Sequence, residues 1–162
     1  MDLVKNEQDL RELFYGLIIK SEFECKIYLS NYSKMYLNNL FEKIHEYLLI
    51  SDDQTFIEIL LESEKEDIFT KINKLKYLGN KCLIYTGLYE NFIKSKKLNN
   101  TDYYKMIGIK SFDILSDLYS QYKKEHATLY SQLVIEFNNI VIVLNKISKK
   151  INNNNNFLEL IN

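Results

Sequence analysis

The segment YSQLVIEFNNIVIVLNKISKKI, residues 130–151, decides the fold class of this chain. Its apolar side chains recur at alternating spacings of three and four residues over three heptads, the pattern of an α-helix that packs along one face. Further valine and isoleucine residues widen this face, so most sides of the helix must be covered. The seam consists of Tyr130, Leu133, Phe137, Ile140, Leu144, Ile147 and Ile151.

Two partners could cover so apolar a helix. The first is the chain itself, with the helix at the centre of its own bundle. The second is another protein chain, which includes a second copy in a homodimer. The candidate interface residues in that case are Phe137, Ile140, Leu144, Ile147 and Ile151.

The rest of the chain favours the same fold class. It has 162 residues, no proline and 46% apolar residues, which suits one globular domain of uninterrupted helices. We therefore predict an all-α fold, a single irregular bundle of six or seven helices over residues 1–151. Residues 152–162 begin with five asparagines, and this low-complexity tail is expected to fray or to be disordered.

Helical periodicity and stop signals predict the boundaries of the individual helices. Ser51-Asp52-Asp53 is expected to end one helix and cap the next, Gly79-Asn80 to end or bend a helix, and residues 94–100 to form a loop. The predicted helices span about 2–20, from 24 or 30 to 49, 56–61, 66–78, 81–94, 102–122 and 125–151.

Composition argues against several classes of function. Arg11 is the only arginine among 21 basic residues and the net charge is −1, so we expect no nucleic-acid binding. Cys25 and Cys82 lack a CxxC spacing and suit a reduced, cytoplasmic setting. The first residues do not resemble a signal peptide, and no apolar run reaches the ~20 residues of a membrane span.

Catalytic motifs are missing from the sequence. It contains no GxGxxG, GxSxG or HExxH pattern and no phosphate-binding loop. A di-iron bundle needs Glu-x-x-His twice, but only Glu42 and His45 supply it, since Lys123 stands three residues before His126. We expect no metal and no cofactor, and we lean towards a protein that is not an enzyme.

The most site-like part of the chain is residues 78–112, which hold three of the four glycines, Gly79, Gly87 and Gly108. These glycines indicate either close helix crossings or space for a ligand. Aromatic and polar residues lie around them, although Asp102 could simply stabilise a helix start and Tyr104 enter the core. The candidate ligand-binding residues are Tyr85, Tyr89, Asp102, Tyr103, Tyr104 and His126.

The order of these residues resembles an uncharacterised group of bacterial helical proteins. The shared features are Leu78-Gly79, Gly87 with a following aromatic, Asp102-Tyr103-Tyr104 and Gly108, and the likeness extends weakly over residues 28–147. This chain has Asn80 where the group has Asp, which casts doubt on any acid–base role there. It also has Leu88 in place of an aromatic and Ser111-Phe112 in place of Ala-Tyr. The resemblance implies a helical domain and a bacterial source. It implies no particular activity, because none is established for the group.

Three functional hypotheses follow from the sequence. The first is a non-enzymatic module for protein–protein interaction, whose partner can be a second copy of the same chain in a homo-oligomer. The second is a small-ligand or enzymatic pocket at the glycine–tyrosine cluster. The third is a secreted bacterial effector, because such export need not leave a cleavable signal.

Overall fold

A computed structural model describes residues 7–48, 55–90 and 101–153. These described residues are 87% helical, far above the third that is usual for globular domains, and they contain no strand. The predicted all-α class is therefore confirmed. The seven helices of these ranges are α1 (Glu7–Cys25), α2 (Asn31–Glu42), α3 (Ile44–Leu48), α4 (Phe56–Ser63), α5 (Ile68–Gly87), α6 (Thr101–Tyr119) and α7 (Lys124–Asn153).

Helices α5, α6 and α7 form the centre of the bundle. α5 and α6 are antiparallel, since Gly79 lies against Phe112 and Cys82 against Gly108. α6 and α7 are joined by a short turn and are also antiparallel, so α5 and α7 run in the same direction. α1 and α2 cover another side of α7, and α4 lies across α5 and α6.

Three glycines lie at close contacts between these helices. A Cβ atom built on Gly79 would come closer than 3.0 Å to the Phe112 ring, and one on Gly87 equally close to Leu144. One on Gly108 would lie 2.8 Å from the Cys82 Cβ and 2.7 Å from Phe137. Each of these glycines therefore faces a packed side chain of a neighbouring helix.

The predicted seam of the last helix packs inside the chain itself. Phe137, Ile140, Leu144 and Ile147 are at most 1% exposed and pack inside the bundle, whereas Ile151 is half-buried. The prediction of a central helix thus describes the observed packing. The apolar residues that α7 presents to solvent are Ile135 and Ile142.

By length and composition alone, residues 124–151 of α7 could also cross a membrane. No unbroken apolar run indicates this in the sequence, because polar residues interrupt the helix. The observation is weak support for a membrane span, since the central helix of a bundle meets the same criterion, and the seam of this helix is buried within the protein.

Several helix boundaries differ from the predictions. α1 continues to Cys25, because the chain leaves the helix only where Lys26 adopts a left-handed φ of 57°. The second helix is interrupted at Lys43. The cap of α4 is Thr55, whose side chain and that of Glu58 form a reciprocal capping box, while the predicted stop at Ser51-Asp52-Asp53 lies outside the described residues.

The break predicted at Gly79-Asn80 is wrong, because α5 runs unbroken from Ile68 to Gly87. α6 ends at Tyr119, earlier than predicted. The predicted loop at 94–100 lies outside the described residues. Asn152 and Asn153 belong to α7, while the remainder of the Asn-rich tail, residues 154–162, also lies outside them.

Candidate functional site

Three of the predicted ligand-binding tyrosines lie together in the structure. Tyr85 of α5 and Tyr104 of α6 have ring centroids 5.7 Å apart. Phe56 of α4 joins them at 5.7 Å from Tyr85 and 5.1 Å from Tyr104, and Tyr103 lies 5.2 Å from Tyr104. We call these four residues the aromatic cluster. It joins three helices by edge-to-face and tilted ring contacts.

Lys81 is the residue of this region that sequence reasoning missed. Its side chain is 1% exposed, and its ammonium lies 5.6 Å from the ring centroids of both Phe56 and Tyr85. It lies 5.2 Å from the ring of Tyr77 and donates a 2.8 Å hydrogen bond to the Tyr77 hydroxyl. Aromatic faces and a phenol oxygen thus replace part of the water that a buried ammonium loses.

The Asp102-Tyr103-Tyr104 motif serves the packing of helices. The Tyr103 hydroxyl accepts a 3.1 Å hydrogen bond from the backbone amide of Ile57, one of the free amides in the first turn of α4. Tyr104 is buried, and burial raises the pKa of its phenol, so it stays neutral at physiological pH. Asp102 lies exposed in the first turn of α6, where a carboxylate suits the helix dipole.

The other two candidates are not part of the aromatic cluster as described. Tyr89 follows the end of α5, where its amide donates to the Ile84 carbonyl, and burial raises the pKa of its phenol. His126 is exposed in the first turn of α7, with its ring 5.0 Å from Tyr119 at the far end of α6. The structure therefore does not bring all six predicted residues into one site.

A second polar network centres on Asn80 of α5, the residue before Lys81. The Asn80 amide oxygen accepts a hydrogen bond from the Tyr36 hydroxyl, and its nitrogen donates a 2.8 Å hydrogen bond to the Tyr47 hydroxyl. Tyr36 in turn packs edge-on against Phe112 and Tyr130, each 6.0 Å away. Asn80 thus satisfies two half-buried phenols, and this explains why it does not end α5 as the sequence suggested.

Two carboxylates from distant parts of the chain hold the start of α2. Glu136 of α7 accepts hydrogen bonds from the backbone amide of Ser30 at 2.8 Å and from the hydroxyls of Ser30 and Ser33. Glu22 of α1 is 2% exposed and accepts a 2.6 Å hydrogen bond from the amide of Leu29. Burial raises the pKa of Glu136, but these hydrogen bonds outweigh it, and the net pKa is below the ordinary value.

Neither a reactive buried thiol nor a metal site is found among the described residues. Burial raises the pKa of the Cys82 thiol well above its ordinary value, so this cysteine is a poor nucleophile. Within the described part of the chain, no three His, Cys, Asp or Glu side chains are close enough to hold a metal ion.

The surface carries an apolar groove that sequence reasoning did not find. This α5 groove lies between the first turns of α5 and the end of α6, and it encloses about 410 Å³. Its apolar side chains are strongly exposed, with Phe69 at 79%, Tyr122 at 50% and Ile68 at 46%. The lining residues are Ile68, Phe69, Ile72, Asn73, Lys76, Tyr119, Tyr122 and Lys123.

A sequence signal for the α5 groove existed. Asp67 caps α5, and its pKa is lowered because it accepts hydrogen bonds from Thr70. An apolar pair, Ile68 and Phe69, follows this cap directly, and both side chains are exposed. The ring of His126 contacts Tyr119, one of the lining residues.

A second concave surface, the α2 groove, encloses about 340 Å³ between α2 and the start of α7. Tyr32 and Met35, at 49% and 67% exposure, form its apolar wall. Its lining is uncharged and consists of Asn31, Tyr32, Met35, Tyr36, Asn39 and Leu129.

Comparison with models of protein families, with curated proteins and with solved structures found no match to this chain. The resemblance to a bacterial group therefore stays a prediction.

Proposed function

We propose that this protein is a non-enzymatic helical module that acts through protein–protein contacts and associates with itself. The observation that carries the proposal is the exposure of large apolar side chains around the α5 groove, above all Phe69. Isolated apolar residues are common on protein surfaces, but a concave group of them marks an interaction surface.

The use of the polar groups in the interior supports this proposal. Glu136, Asn80 and Tyr103 each bind a helix start or another buried side chain, and Lys81 is held among aromatic rings. These groups stabilise the bundle and leave little for catalysis. Large apolar side chains that the fold does not use for its own packing lie on the surface, some of them around the α5 groove.

The second candidate function, a ligand pocket at the glycine–tyrosine cluster, receives less support. The space beside Gly79, Gly87 and Gly108 is filled by Phe112, Leu144 and Phe137. A ligand there would have to displace side chains that are at most 1% exposed. Both grooves described above lie elsewhere on the molecule.

Sedimentation velocity of the full chain across micromolar concentrations tests the proposal. We expect a concentration-dependent species at twice the monomer mass of 19.4 kDa. A folded protein that stays at the monomer mass throughout that range would contradict self-association. Ligand binding is tested separately, because a small molecule bound at the cluster would change tyrosine fluorescence without changing the mass.

A further inference from the structure

The α5 groove combines an apolar floor with a basic edge. Phe69 and Tyr122 supply exposed rings, while Lys76 and Lys123 lie beside them, with the Lys76 ammonium 5.6 Å from the centre of the Tyr119 ring. Its volume of about 410 Å³ is within the usual range of binding sites. Such a surface suits a short apolar segment that also carries an acidic side chain.

The chain contains a segment of this chemistry outside the described residues. Residues 157–161 read Phe-Leu-Glu-Leu-Ile, with four apolar side chains around the single carboxylate of Glu159. The five polar asparagines 152–156 separate this segment from the apolar face of α7. The α2 groove, in contrast, has no lysine in its lining and offers Glu159 no opposite charge.

The segment cannot reach the α5 groove of its own molecule. Lys123, which lines the groove, directly precedes α7, and the 30 residues of this helix place Asn153 about 45 Å away. The four residues from Asn153 to Phe157 span at most about 14 Å even when fully extended. An occupant with this sequence must therefore come from another copy.

We propose that residues 157–161 of one copy bind in the α5 groove of a second copy, with the Phe157 and Leu158 side chains on Phe69 and Tyr122 and Glu159 near Lys76 and Lys123. This inference rests on the self-association proposed above and names its contact. Because α7 ends on the side of the bundle opposite the groove, two molecules side by side in antiparallel orientation exchange segments reciprocally. Such an exchange gives a closed dimer with two identical contacts.

Two point variants of the full chain test the contact from its two sides. Phe157→Asp places a charge in the segment, and Phe69→Asp places one in the groove. Phe23→Asp is the matched control, since Phe23 on α1 is 74% exposed, close to the 79% of Phe69, but does not line the groove. Circular dichroism checks that all three keep the helical fold, and sedimentation velocity measures the dimer.

We expect each of the first two variants to weaken dimerisation by more than about tenfold, because a charge enters an apolar contact, while the control dimerises like the parent. A mixture of equal amounts of Phe157→Asp and Phe69→Asp tests the exchange directly. The first variant retains an intact groove and the second an intact segment, so one contact forms per pair and dimers partly return.

The outcomes separate this inference from the proposed function. A parent chain that is monomeric at every concentration overturns both. A parent dimer that survives Phe157→Asp, or that Phe23→Asp disrupts as strongly as Phe69→Asp, overturns the tail–groove contact and leaves self-association standing. Failure of the mixture to recover dimers also overturns the exchange.

Discussion

Gly108→Ala should destabilise the protein, although alanine is the better helix former. The substitution gains about 1 kcal/mol in helix propensity. The added methyl would lie 2.8 Å from the Cβ of Cys82, an atom fixed by the α5 backbone, and 2.7 Å from the ring of Phe137, which is fully buried. Overpacking of this kind costs about 1–3 kcal/mol, so we expect a net loss of about 1 kcal/mol.

Gly16→Ala is the matched control, because Gly16 also lies within a helix but a Cβ atom added to it would have nothing within 4 Å. There only the propensity term applies, and we expect a gain of about 0.5–1 kcal/mol. In urea unfolding with a slope of about 2 kcal/mol per molar, the two midpoints should lie on opposite sides of the parent, each displaced by about 0.3–0.5 M. If Gly108→Ala unfolds at or above the parent midpoint, the close crossing of α5 and α6 does not exist as described.

Three further outcomes follow from polar groups that pack between the helices. Glu136→Gln should lower the free energy of unfolding by about 1–3 kcal/mol at neutral pH, measured by urea unfolding, because a charged acceptor is lost from the start of α2. The pKa of Glu136 is lowered in the folded protein, so the stability that it contributes is present above the ordinary pKa of Glu and is lost as pH falls below it. The stability of the variant should therefore depend less on acid pH than that of the parent. Burial is the main cause that raises the pKa of Tyr36 and of Tyr130, so the stability that these phenols contribute is present below about pH 10 and is lost above it. In an alkaline titration, the phenolate absorbance of these two tyrosines should rise only together with unfolding. Equal titration of all tyrosines in the folded protein would refute this. In thermal unfolding, Lys81→Met should be more stable than Lys81→Ala, because methionine fills most of the volume beside Phe56 and Tyr85. Equal losses of stability in the two variants would show that the packing of the lysine side-chain stem is unimportant.

The sequence predicted what depends on local periodicity. The seam of α7 identifies a central helix because spacings of three and four residues place its apolar side chains on one face, and the structure buries them there. The same reasoning placed Tyr104 and Gly108 at helix contacts as one of two alternatives. These helical faces can be predicted because the spacing of residues close together in the sequence determines them.

What the sequence did not predict depends on contacts between distant residues. Gly79-Asn80 carries a local signal for a helix end, but Phe112 fills the space beside Gly79 and the hydroxyls of Tyr36 and Tyr47 satisfy Asn80, so α5 continues. Lys81 reads as a surface residue until α4 supplies a ring above it. Such tertiary contacts override propensities of about 1 kcal/mol.

The division between interior and surface also bears on function. The glycine–aromatic region, the most conspicuous part of the sequence, is used for the crossings of α5, α6 and α7, so its residues are accounted for by the stability of the bundle. Phe69 has no such role, since at 79% exposure it contributes little to the core and would reduce solubility if it stayed uncovered. A residue that the fold does not need is the better guide to an interaction. For this reason Phe69→Asp should leave the free energy of unfolding of the monomer nearly unchanged, whereas a comparable loss of stability and of association would place Phe69 in the core and remove the groove as a binding surface.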